Sequence, residues 1–296
     1  MTVSPSEHPE NGPGMTPAAV AQLVADALAE DAPWGDISGE ASIPAQAGAR
    51  AELVSREPGV LAGVACIVEA FRQTDPRSEI TVHLSDGARL AAGSHIATIA
   101  GNARAILRAE RIALNFAQRL SGIATLTARY VEAVSGTGAR IADTRKTTPT
   151  LRMLERAAVR AGGAHNHRFS LSDAVMLKDN HLAVLTAQGL DLTEAIHSVR
   201  ARIPHTMHLE VEVDRLDQLP AVLAATPDTV MLDNFDLDSL RAGVALVDGR
   251  CVVEASGGVT LDTVRAIAET GVDVISVGAL THSARALDLA LDIEAH

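Results

Sequence analysis

Hydrophobic positions along the chain follow two regimes that meet near Asn102. In the first, Thr16 and Pro17 have the form of a helix N-cap and first helical residue. Val20, Leu23, Val24, Ala27 and Leu28 then recur on one helix face. Residues 32–48 are rich in proline and glycine and predict irregular chain. Short aliphatic runs predict strands at 51–56, 80–84 and 95–99, with a helix over 64–73 between the first two. These elements make a small α+β domain over 15–122. In the second regime, helical patterns at 103–120 and 123–134 lead into an alternation of strands and helices. The strands fall at 140–143, 166–169, 174–178, 208–213, 229–232, 251–254 and 274–277, and the helices at 151–161, 192–202, 214–225, 237–247, 261–270 and 283–293. Alternation of this kind means a parallel sheet covered by helices, and about seven units can close a barrel. The predicted fold class is α/β, with the barrel over 123–282.

Composition agrees with that picture. Aromatic residues are 2% of the chain against 47% hydrophobic overall, so the core is built from Ala, Val, Leu and Ile. Parallel strands buried on both faces need such short aliphatic runs. No stretch reaches the roughly 18 apolar residues of a membrane helix. Residues 1–14 lack a basic start and apolar stretch and read as a disordered leader rather than a signal peptide. A net charge of −12 argues against nucleic acid or anionic lipid as the main partner. Cys66 and Cys251 make neither a disulfide framework nor a metal spacing, which suits a reducing cytoplasm. Of 25 basic residues only Lys146 and Lys178 are lysine. Where arginine has replaced lysine elsewhere, two survivors mark positions that need a compact ammonium.

Ligands of parallel α/β folds lie at the C-terminal ends of the strands, and the polar residues collect there. The first barrel strand ends in Asp143-Thr144-Arg145-Lys146, the next region carries His167-Arg168, and the third ends at Lys178. Glu210 and Glu212 lie on the fourth, and Asp233-Asn234 end the fifth. Ser256-Gly257-Gly258 and Val277-Gly278-Ala279 each follow a strand and precede a predicted helix. Singly, each is most simply a solvated or capping residue; gathered on one rim they describe a polyanion site. Arginine forks pair with carboxylate or phosphate, lysine acts as a point charge, and glycine turns let backbone N–H groups approach a phosphate. Glu212 and Asp233 could hold Mg²⁺ or bond ribose hydroxyls. The His165-x-His167 spacing invites a metal, but no third ligand stands nearby in sequence.

The stretches 142–149, Asn166-His167-Arg168, 177–181, Leu232-Asp233-Asn234-Phe235, 254–259 and 271–282 resemble the quinolinate phosphoribosyltransferase family in order and spacing. Glu110-Arg111 with Leu114-Asn115, and Glu30-Asp31 with Gly35-Asp36, extend the resemblance towards the N-terminus. Thr150 departs from it, standing where the family often has glycine. The resemblance implies an incomplete seven-stranded α/β barrel beside a smaller N-terminal α/β sandwich, with a C-terminal helix over 283–296 joining the latter. It implies the decarboxylating transfer of phosphoribosyl from phosphoribosyl pyrophosphate to quinolinate, giving nicotinate mononucleotide for NAD biosynthesis. Arg145, His167, Arg168 and Lys178 would bind the pyridine diacid, with Arg111 arriving from the partner of a homodimer whose sites are shared. Whether dimers associate further stays open. Lys146, Glu212, Asp233, Ser256, Gly257, Gly258, Val277, Gly278 and Ala279 would serve the phosphoribosyl side, with Glu212 and Asp233 as ligands of the Mg²⁺ cofactor, and Thr144 would also bind substrate. Lys146, Lys178, Glu212 and Asp233 are the catalytic candidates. His167 either donates to a substrate carboxylate or orients its loop. A Schiff-base lyase using Lys178, or a nucleotide sensor retaining the phosphate glycines, are the alternatives from other classes.

Overall fold

The computed structural model describes residues 16–187 and 189–295; the leader read over 1–14 lies outside them. The chain divides into two compact units, neither continuous in sequence.

The first unit holds residues up to Ala128, Thr148–Gly163 and the C-terminal stretch from Ala284. It begins with α1 (Pro17–Asp31), whose N-cap Thr16 accepts from the Ala19 N–H, and α2 (Ile37–Ser42), capped by Asp36. Then come β1 (Gly48–Ser55), β2 (Gly59–Val60), α3 (Val64–Thr74), β3 (Glu79–Val82), β4 (Arg89–Leu90), β5 (His95–Asn102) and most of α4 (Ala103–Ala133). An antiparallel sheet runs β12-β1-β5-β3, where β12 is Leu289–Ala295, the last element of the chain. The expected C-terminal helix over 283–296 is therefore corrected to a strand. Leu289, Leu291 and Ile293 alternate with polar Asp292 and Glu294, a period-two pattern, and pair with Ser55, Leu53 and Ala51 of β1. The two expected helices at 103–120 and 123–134 are one helix of 31 residues. Gly122 is not a break in it: a Cβ there would lie 1.9 Å from the Arg285 carbonyl, so glycine admits the returning chain.

The second unit, Arg129–Thr147 with Ala164–Ser283, carries the parallel sheet. Its strands are β6 (Arg140–Ala142), β7 (Val175–Leu177), β8 (Leu209–Val213), β9 (Thr229–Asp233), β10 (Val252–Ser256) and β11 (Val274–Ser276), in the order β6-β11-β10-β9-β8-β7. A single parallel bridge, Ala142 to His165, is all that forms where a strand was expected at 166–169. The barrel is thus open between His165 and β7. Helices α6 (Asp179–Thr186), α7 (Leu192–Arg200), α8 (Leu219–Ala224), α9 (Leu237–Val247) and α10 (Val264–Ala268) alternate with the strands, and α11 (Ala279–His282) is a single turn. The helix after β6, α5 (Arg152–Ala161), belongs to the first unit. There Glu155, fully buried, receives Arg119 at 2.9 Å and both the N–H and the hydroxyl of Thr148.

Candidate active site

In a parallel strand alternate side chains share a face, so Glu210 and Glu212 of β8 and Glu254 and Ser256 of β10 project to the same side. Glu212 and Ser256 stand one step nearer the C-terminal rim. Glu210 and Glu254 lie deeper, each 3% exposed. The sequence placed Glu210 on the rim; the structure puts it inside the barrel.

On the rim, the Lys178 ammonium forms an ion pair with Glu212. Lys178 also begins α6, where its N–H donates to His181 Nδ1 at 3.1 Å. Asp233 ends β9, and its carboxylate accepts from the Asn234 side chain at 2.6 Å. Asn234 turns the chain at φ 59° and donates its N–H to the Ser256 carbonyl. Gly257 adopts φ 93°, and a Cβ on it would sit 2.2 Å from Asn234 Oδ1. The β9 and β10 ends are thereby locked together, and only glycine fits. Across the barrel, Thr281 Oγ1 donates to the Lys146 carbonyl at 2.7 Å, and Thr144 Oγ1 accepts the Lys146 N–H. The Lys146 side chain passes 3.1 Å from the position a Gly278 Cβ would occupy. Val277 continues the β11–β6 ladder by donating to the Ala142 carbonyl. Neither glycine turn opens a long helix: residues 259–263 intervene before α10, and Ala279 starts one turn only.

Beneath the rim, His167 lies between Glu210 and Glu254, its Nε2 3.3 Å from an oxygen of each. Its Nδ1 accepts the Arg168 N–H at 2.8 Å. Burial opposes charge on the ring, but hydrogen bonds to Glu210 and Glu254 outweigh it and shift the histidine upward. Glu210 is shifted upward too, first by burial and then by the charge of Glu254, against the His167 hydrogen bond. Because Nδ1 accepts, the ring's own hydrogen is on Nε2, facing the two carboxyl groups. Asp143, fully buried, accepts from the His167 N–H and the Asn166 side chain, each at 2.7 Å. The Arg168 guanidinium donates to the Ala174 carbonyl. Burial lowers the Arg168 pKa, and the nearby charge of Arg145 lowers it further. A cavity of about 390 Å³ is lined by this layer itself, His167, Arg168, Glu210 and Glu254, together with the strand-opening residues Arg140, Thr229, Val252 and Val274.

Arg111 is exposed on α4 in the first unit. Sequence reasoning assigned no role to Asp143, Glu210 or Glu254. Their signal was a carboxylate inside an otherwise aliphatic strand. Among the described residues, His167, Glu210 and Glu254 are the one group of three that could hold a metal ion; His165 is not in it.

A parallel α/β barrel with lysines, carboxylates and a glycine turn on its C-terminal rim defines an enzyme that handles phosphorylated sugar or carboxylate substrates. Models of the N-terminal and C-terminal domains of quinolinate phosphoribosyl transferase match residues 36–121 and 123–292. The nicotinate-nucleotide pyrophosphorylase (carboxylating) of Mycobacterium leprae is 44% identical over 275 residues, covering 90% of this chain and 94% of that protein. NadC from Streptococcus pyogenes superimposes with a TM-score of 0.91 at 39% identity, over 96% of this chain and all of that one. Nicotinate-nucleotide pyrophosphorylase from Francisella tularensis gives 0.88 at 37% identity, over 95% and 98%. The chain belongs to the quinolinate phosphoribosyltransferase family.

Proposed function

We propose that this chain joins quinolinate to phosphoribosyl pyrophosphate, releasing pyrophosphate and CO₂ and forming nicotinate mononucleotide, as its family does in NAD biosynthesis. The observation that carries the pocket assignment is Arg168, whose main chain is held by His167 Nδ1 and whose guanidinium is held by the Ala174 carbonyl. It is a placed fork of the kind that pairs with carboxylate, and Arg145 joins it from just after the first barrel strand. His167 and Lys178 complete the diacid pocket. Lys146, Thr144, Ser256, Gly257, Gly258, Val277, Gly278 and Ala279 face the phosphoribosyl group and pyrophosphate. The pyridine nitrogen forms a bond to ribose C1 as the C1–O bond to pyrophosphate breaks. Positive charge grows on the sugar, and Glu212 and Asp233 stabilise it there. The alkylated ring then accepts the electron pair left when the 2-carboxylate departs as CO₂. The resulting carbanion takes a proton, for which Lys146 and Lys178 are the candidate donors.

Glu212 and Asp233 offer hard oxygen ligands on neighbouring strands, which fits the small carboxylate share of a Mg²⁺ ion completed by water and phosphate oxygens. Bound there, Mg²⁺ would neutralise charge on the pyrophosphate. The working form is a homodimer in which Arg111 enters the partner's diacid pocket. The cytoplasm is the proposed location, in keeping with free thiols at Cys66 and Cys251. No helix of the described residues is long and apolar enough to cross a membrane.

The test is turnover with Mg²⁺, phosphoribosyl pyrophosphate and either quinolinate or nicotinate. Product and CO₂ from quinolinate, with little from nicotinate, is the expected result. Turnover of nicotinate alone would overturn the diacid pocket. Loss of activity in a chelator, restored by Mg²⁺, is expected of the metal.

A further inference from the structure

Glu210 and Glu254 have no part in the reaction as outlined, yet they are costly to keep where they are. A carboxylate in a barrel interior loses several kcal/mol of solvation, and a well-packed aliphatic side chain there is often neutral or better for stability. Val252 and Val274 line the same cavity with Arg140, His208 and Thr229, and both carboxylates are only 3% exposed. Each carboxylate places one oxygen 3.3 Å from His167 Nε2. The other oxygen of each is buried and finds no hydrogen-bond partner among the described residues.

A metal ion is the first alternative, since the three donor atoms lie within 4.8 Å of one another. The histidine tautomer argues against it. A metal on Nε2 takes the lone pair of that nitrogen and leaves the ring hydrogen on Nδ1. Here Nδ1 accepts the Arg168 N–H at 2.8 Å, so the lone pair is on Nδ1 and the hydrogen on Nε2. The cluster is built around an N–H donor.

We infer that Glu210 and Glu254 are positioning residues for the diacid pocket, holding Arg168 in place through the His167 ring. This rests on the proposed role of His167 and Arg168 in binding the diacid. The two carboxyl groups fix Nε2 from β8 and β10, and Nδ1 fixes the main chain of Arg168. Asp143 secures the other side of the same loop through the His167 N–H. Among the described residues the parallel pairing here is the single bridge at His165, and these side chains add to what holds residues 166–168. A displaced guanidinium loses part of its charge-assisted hydrogen bonding to the diacid, a loss read in the KM for that substrate.

The experiment compares Glu210→Met, Glu254→Met and the double variant with Glu254→Gln, which keeps an acceptor oxygen without the charge. Expected is a rise of about tenfold or more in KM for quinolinate in the double variant, the effect of one lost buried anchor. KM for phosphoribosyl pyrophosphate should be unchanged, kcat less affected, and Glu254→Gln near the parent. ¹⁵N-histidine NMR, assigned with His167→Gln, should show the Nε2–H tautomer in the parent and its loss or averaging in the double variant. Equal shifts in both KM values, or an Nδ1–H ring in the parent, would overturn the inference. If the double variant does not fold, the parent tautomer and Glu254→Gln still decide it. His167→Gln and Arg168→Ala are assayed alongside. If these leave the quinolinate KM alone, the diacid pocket itself fails; if they raise it and the methionine variants do not, only the positioning role fails.

Discussion

Thr150 has φ 68°, the left-handed region, where a β-branched side chain is strained. The cost there is about 1–2 kcal/mol for an L-residue with a Cβ. It is also the position at which the resemblance leads one to expect glycine, the residue that adopts this φ without strain. Thr150→Gly should stabilise the protein by about 1 kcal/mol, less the extra freedom glycine gives the unfolded chain. A urea midpoint unchanged or lower would show that the strain is relieved elsewhere. Gly257 is the converse case. At φ 93° and with Asn234 Oδ1 in the way of any Cβ, Gly257→Ala must displace the Asn234 turn beside Asp233. Activity is expected to fall at least about tenfold, with about 1–3 kcal/mol of stability lost. These rim residues were legible from sequence because loops carry their chemistry in the residue type itself. Glu210 and Glu254 were not, because their significance comes from His167, which reaches them only once the barrel has curved.

Most barrel strands and helices were legible as short aliphatic runs between helical patterns, and α9 falls where expected, at Leu237–Val247. The failures share a physical origin in tertiary pairing. A run such as Leu289-Ala-Leu-Asp-Ile-Glu suits either a helix or a strand, and the free edge of β1 decides for the strand. Gly122 reads as a helix break until the Arg285 carbonyl is seen against it. The return of the chain to β1 is also fastened by charge: Arg285 donates two bonds to Glu57 at 2.6 and 2.8 Å, and the Asp288 N–H donates to the same carboxylate. The Arg285 hydrogen bonds and that backbone N–H depress the Glu57 pKa to about 2. A carboxyl depressed on folding adds stability that is fully present above the ordinary carboxylate range and is lost as pH falls through the folded value. The parent should therefore melt higher than Glu57→Gln at neutral pH, and the gap should close from the ordinary range down to about 2. Both side chains are partly solvated, so high salt should narrow the gap as well. A gap independent of pH would mean that packing, not charge, fastens the C-terminal strand.

At the scale of the whole molecule, one proposed site residue belongs to a different unit from the others. Arg145, His167, Arg168 and Lys178 all belong to the barrel unit, whereas Arg111 is carried by α4 of the other unit and is exposed. If Arg111 serves the diacid pocket of a partner in a two-fold dimer, each site takes Arg145 from one chain and Arg111 from the other. Arg111→Ala and Arg145→Ala are then each inactive alone, for different reasons. Mixed and allowed to exchange, they form hybrid dimers in which one site lacks both arginines and the other has both. Random exchange at equal amounts makes half the dimers hybrid, each with one intact site, so activity should return to about a quarter of the parent. The recovered activity should carry the parent KM for quinolinate, because the intact site is chemically unaltered. Recovery should also follow the rate of subunit exchange rather than appear on mixing. Verified hybrids that stay inactive would place Arg111 in the pocket of its own chain or outside the site altogether. A return well above a quarter would mean that one of the two variants was never fully inactive, and would remove that arginine from the machinery.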